Sequence, residues 1–113
     1  MPYVAVTIVR FVDPHYPGFV ECQLNDASGQ QHVIIEKVPV VTAADLGPET
    51  LYPQPGVIAC EISAQWTDEQ GRELRRISTA EPWGIESTSR EHSFVVLAEQ
   101  LSAQSPFNND ELS

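Results

Sequence analysis

Apolar and polar residues alternate in short runs along most of this chain, a period of two that marks half-buried β-strands rather than helices. Phe19–Leu24 is the plainest case, with Val20, Cys22 and Leu24 on one face and Glu21 and Gln23 on the other. Val57–Trp66 repeats the pattern: Ile58, Cys60, Ile62, Ala64 and Trp66 fall on one side, Glu61, Ser63 and Gln65 opposite. That spacing places Trp66 on a core face. Tyr3–Val12 is dense in β-branched and aromatic residues and apolar on both pleats except at Thr7 and Arg10, which predicts a central strand. Gln31–Val38, Arg72–Thr79 and Ser93–Leu97 complete a set of about six strands.

The breaks between runs carry turn chemistry. Asn25–Gly29 and Thr67–Gly71 each close on a glycine that can take a positive φ, as hairpin turns require. Asp13–Gly18 interrupts the first two strands with two prolines and a glycine. Pro39–Gly56 has a different character, with prolines at 39, 48, 53 and 55. Within it Thr42-Ala43-Ala44-Asp45 resembles a capping box and predicts one short helical turn near 42–47, ended by Gly47-Pro48. Val40, Val41, Leu46, Leu51 and Tyr52 ask for burial, so the stretch is expected to be an ordered excursion and not a linker. Ala98–Leu101 either continues the last strand or turns briefly helical. Ser102–Ser113, with little apolar content beyond Phe107 and Leu112, is expected to be a disordered tail. The fold class that follows is mainly all-β: a single domain over 1–101, built as a small antiparallel barrel or sandwich.

Charge narrows the functional classes. The 113 residues hold 16 acids against 6 bases, a formal charge of −10. A field of that sign repels nucleic acid and anionic membranes, so the expected partner is a protein, and a basic one gains most from it. Lys37 is the only lysine. The start, Met1-Pro2-Tyr3-Val4, carries no basic, apolar export signal. Cys22 and Cys60 form no CxxC pair, so reduced thiols and a cytoplasmic location are expected.

Candidate chemistry is sparse. His15 sits beside Asp13 in a proline-rich turn, and His32 shares a strand face with Glu36, so each offers an imidazole–carboxylate pair for general acid–base work. His92 shows no partner. Both cysteines fall on apolar faces and read as inert core thiols. No metal-ligand spacing, phosphate loop or cofactor motif appears, and no catalytic, cofactor or metal residue is assigned. Arg72, Arg75 and Arg76 form the single basic cluster, with Arg72 and Arg76 on one strand face and Arg75 on the other. Tyr16, Tyr52 and Trp83 stand in proline-bearing loops, where aromatic side chains act as interface anchors. The residues expected to meet a partner are Tyr16, Tyr52, Trp83, Arg72 and Arg76.

The segments Val33–Val40, Tyr52–Glu61 and Pro82–Ser87 resemble those of a family of small bacterial proteins with no assigned activity. The strand order resembles a variant of the Sm-like, SH3-type small barrel, which implies RNA binding. Sm-like proteins begin with a helix and carry an Arg-Gly motif, whereas residues 1–12 here read as strand and no Arg-Gly occurs. The leading expectation is therefore a non-enzymatic protein-interaction module, able also to self-associate through an open strand edge. An Sm-like RNA-binding module and a small hydrolase or isomerase using a His–carboxylate pair are the alternatives.

Overall fold

The computed structural model describes residues 1–103. Among these residues eight strands form two antiparallel sheets. They are β1 (Tyr3–Asp13), β2 (Phe19–Asn25), β3 (Gln31–Lys37), β4 (Gln54–Ala59), β5 (Glu61–Thr67), β6 (Glu73–Ser78), β7 (Ser93–Leu97) and β8 (Leu101–Ser102). The first sheet has the order β3-β2-β1-β4, with β8 paired to the start of β1; the second is β5-β6-β7. β1 is central, as its composition predicts, with β4 along one edge and β2 and β8 along the other.

Alternation drives the packing. Val4, Val6 and Ile8 of β1, Val20, Cys22 and Leu24 of β2, Ile34 of β3 and Ile58 of β4 are all buried. From the second sheet Ile77, Phe94 and Val96 join the same cluster, and Ile85 closes it from the β6–β7 connection. Each such side chain fully buried contributes roughly 1.5–3 kcal/mol of hydrophobic stabilisation.

The expected Val57–Trp66 strand is two strands. The chain leaves the first sheet at Cys60, whose N–H donates to the Pro2 carbonyl (3.0 Å), and enters the second as β5. Between Ile62 and Ala64 the register slips: Ile62 lies opposite Ile77 and Ala64 opposite Arg76, two residues of β5 against one of β6. A one-residue bulge swaps faces. Ile62 therefore keeps the side of Ile77, while Ala64 and Trp66 turn onto the side of Leu74 and Arg76. Trp66 is 37% exposed and not a core residue. Period-two spacing misplaced it because a bulge leaves no trace in the apolar pattern.

The sheets stay open and do not close into a barrel. β3 and β7 are joined by no ladder; Thr88 N–H donates to Val33 O (2.8 Å) and Ala27 N–H to Val95 O (2.8 Å).

The helical turn forms at Val38–Val41 instead of 42–47. Pro39 presets φ in its first turn, and Val38 N–H is anchored on Gly18 O (2.9 Å). Thr42 is its extended C-terminal cap, with its N–H on Val38 O (3.1 Å). The Thr42 hydroxyl accepts from Ala44 N–H (3.1 Å), a local turn bond competing with the capping box. Val41 is buried and Val40, Leu46 and Tyr52 pack against the core as expected of the excursion, but Leu51 is 84% exposed, so its side chain does not hold the loop down. Ala98–Gln100 is a single 3-10 turn. The tail expected to be disordered lies outside the described residues from 104 onward, but Ser102 belongs to β8, opposite Tyr3.

Candidate functional site

One hollow of about 460 Å³ gathers titratable side chains from both sheets, among them Asp26, His32, Arg72 and Glu91, with Ser93 and Phe94. Its centre is His32 on β3, whose side chain is only 9% exposed. His32 Nε2 lies 2.9 Å from Asp26 Oδ2 and Nδ1 lies 3.2 Å from Glu91 Oε1. The ring meets Phe94 edge-on, 4.8 Å between centroids.

Local sequence builds each arm. Asp26 opens the hairpin turn predicted at Asn25–Gly29: its Oδ1 accepts from Ser28 N–H (2.9 Å), the Ser28 hydroxyl (2.7 Å) and Gln30 N–H (3.0 Å). Gly29 takes φ +90 to complete the turn. That leaves Oδ2 for His32. Glu91 is presented by a second small turn, in which the buried Ser87 hydroxyl accepts from the N–H groups of Ser89 (3.2 Å) and Glu91 (3.1 Å). The neighbouring Thr88 is bonded to Val33, next to His32 in the chain. Arg72 caps the far side: its Nε donates to Asp68 Oδ2 (2.8 Å) and a terminal nitrogen to Ala27 O (3.1 Å).

Burial alone would raise the Asp26 pKa, but hydrogen bonds from His32, Ser28 and Gln30 prevail and hold it at about 2. Both imidazole nitrogens face carboxylates. A His–carboxylate relay keeps one nitrogen free for a nucleophile or substrate. Here neither is free. The site is a polar network clasping the two sheets.

The pair expected from sequence was His32 with Glu36. The structure instead turns His32 to Asp26 and Glu91, and Glu36 accepts from Lys37 N–H (3.2 Å). The turn signal at Asp26 was legible; the approach of Glu91, far along the chain, was not. His15 does pair with Asp13, Nδ1 to Oδ1 2.7 Å, but in an exposed turn away from the hollow. The backbone N–H of His15, then its ring, lower the Asp13 pKa. His92 contributes its carbonyl, which accepts from Thr79 N–H (2.8 Å).

Cys22 and Cys60 are free and buried. Burial, with Glu36 and Glu21 adding repulsion, pushes the Cys22 thiol to about 12, and burial raises Cys60 to about 11. Thiols held so high supply little thiolate near neutrality. Among the described residues no group of three or more His, Cys, Asp or Glu side chains is placed to hold a metal ion. No helix among them is long and apolar enough to cross a membrane.

The expected partner-facing residues scatter. Tyr16 is 95% and Trp83 65% exposed. Tyr52 is half-buried against the core, with its hydroxyl donating to Gly47 O (2.8 Å), so it fastens the excursion. Arg72 is held in the clasp, and Arg76 lies over the Trp66 ring, 5.6 Å from its centroid. The aromatic and basic residues thus do not form one patch. Sequence spacing missed the exposed Trp66–Arg76 pair, because the place of β5 at a sheet edge, like its bulge, is silent in the pattern. Comparison with protein-family models, curated proteins and solved structures finds no match to this chain.

Proposed function

We propose that this chain is a non-enzymatic protein-interaction module working in the cytoplasm. The observation that carries the reading is β5. It is the outer strand of its sheet, every residue in it is exposed or half-exposed, and it displays Trp66 and Ile62 at 37% and 40%. A strand edge offers its own N–H and C=O groups to an added strand, and exposed aromatics anchor what docks there. Trp83 and Tyr16 supply further anchors in the loops. The charge of −10 favours encounter with a basic partner. Free buried thiols fit a reducing compartment.

The two other readings draw less support. For the hydrolase or isomerase, the one imidazole lining the hollow has both nitrogens engaged. For the Sm-like RNA module, Arg72 and Arg76 are committed to Asp68 and Trp66, and the overall field opposes phosphate.

Affinity capture from lysate on immobilised wild-type, Trp66→Lys and Trp83→Ala protein tests the proposal. Retained proteins should be lost or strongly reduced on one of the two variants. Equal recovery on all three would overturn it, and salt-sensitive retention of oligonucleotides would favour the RNA reading.

A further inference from the structure

We propose that β5 pairs antiparallel with β5 of a second copy of this chain, fusing two three-stranded sheets across a two-fold axis at Gln65. This inference deepens the interaction reading and rests on it. β5 hydrogen-bonds to β6 along one side, and among the described residues no backbone hydrogen bond reaches its other side. The opposite edge of that sheet is already taken, since Val95 O of β7 accepts from Ala27 N–H. One edge is open and one is blocked, so pairing ends at a closed two-fold dimer and does not propagate.

Charge opposes a copy of the same chain least at this place. Over 61–78 the acids Glu61, Asp68, Glu69 and Glu73 face Arg72, Arg75 and Arg76, four against three, a net charge of −1 in a chain of −10. Two molecules that repel elsewhere approach at least cost along this hairpin. The paired length has natural limits: the bulge after Ile62 at one end and the turn at Asp68 at the other. Centring Ser63–Thr67 on Gln65 sets Trp66 opposite Ala64 twice, Ser63 opposite Thr67 twice, and Gln65 opposite itself. Each pair has the same face, bulky meets small, and no like charges meet. Trp66, already opposite Leu74, would continue the row Leu97–Leu74–Trp66 onto the neighbouring molecule.

Sedimentation of the full chain should show a mass rising with concentration towards twice 12.5 kDa. Added salt should strengthen the association by screening the two acidic bodies, the reverse of its effect on a basic partner. Trp66→Lys should weaken self-association by about tenfold or more, with an unchanged melting temperature at dilutions where both chains are monomeric. Diamide oxidation of Gln65→Cys should give a disulfide-linked dimer, because directly opposed strand residues lie within disulfide reach; Glu69→Cys, in the turn, should not. A wild-type chain still monomeric at about 1 mM in high salt, or equal cross-linking of both cysteine variants, would overturn the self-pairing. If that monomer still captures partners in a Trp66- or Trp83-dependent way, only the self-pairing fails. If it captures none, the interaction reading falls too.

Discussion

Asp26 shows how one side chain can set a dependence on pH. Its carboxylate accepts three bonds within its own turn and faces His32 as well, and it sits at about 2 against an ordinary 3.8. A carboxyl whose pKa is depressed on folding contributes stability that is complete above 3.8 and fades as pH falls through about 2. Asp13 and Asp68 are lowered too, but at exposed turns where screening leaves little. Urea midpoints should therefore fall between pH 5 and pH 2, and Asp26→Asn should flatten that fall while lowering the midpoint at pH 5. A variant that titrates like the wild type would remove Asp26 from this role. His32→Ala leaves two carboxylates facing each other across the vacated site. It should cost roughly 1–3 kcal/mol, the range for leaving a shielded hydrogen-bonding group without its partner.

At the level of the element, Gly56 in β4 is fixed by its neighbours. A Cβ there would stand 2.8 Å from Ile8 Cδ1 and 3.1 Å from Val41 O, between a fully buried side chain and the end of the helical turn. Gly56→Ala should destabilise the chain by about 1–3 kcal/mol, the usual cost of overpacking. Gly47→Ala, where nothing lies within 4 Å of the added carbon, should stay within about 0.5 kcal/mol. Chemical denaturation of both variants checks the contrast, and equal midpoints would refute it. The same elements mark how far sequence reading reaches. β1, β2, β3, β6 and β7 were legible, because alternation and turn residues are local properties. The helical turn slipped from 42–47 to Val38–Val41 because the anchor at Gly18 comes from a distant hairpin. The crossing at Cys60 and the bulge after Ile62 change which face a residue occupies without changing residue type, and with them the exposure of Trp66 stayed hidden. Half the clasp was readable as a turn at Asp26; its closure by Glu91 depends on how the two sheets meet.

For the whole molecule, the question is whether two open sheets behave as one cooperative body. They share a single apolar cluster, in which Ile77, Phe94 and Val96 pack with Val4, Ile8 and Ile34. Neither sheet could bury its inner face alone. The polar links lie at the rim: His32 between Asp26 and Glu91, Ala27 on Val95, and Thr88 on Val33. A shared core with rim fasteners implies two levels of opening. In native-state hydrogen exchange the slowest amides of β1 and of β6 should open with the same free energy, equal to that of global unfolding. His32→Ala should lower both together, and should speed the amides of Ala27 and Thr88 further, because their acceptors sit on strands the clasp no longer holds. If β6 instead opened well below β1 in the wild type, the second sheet would be a separately unfolding unit, and the rim fasteners would be holding it in place of the core.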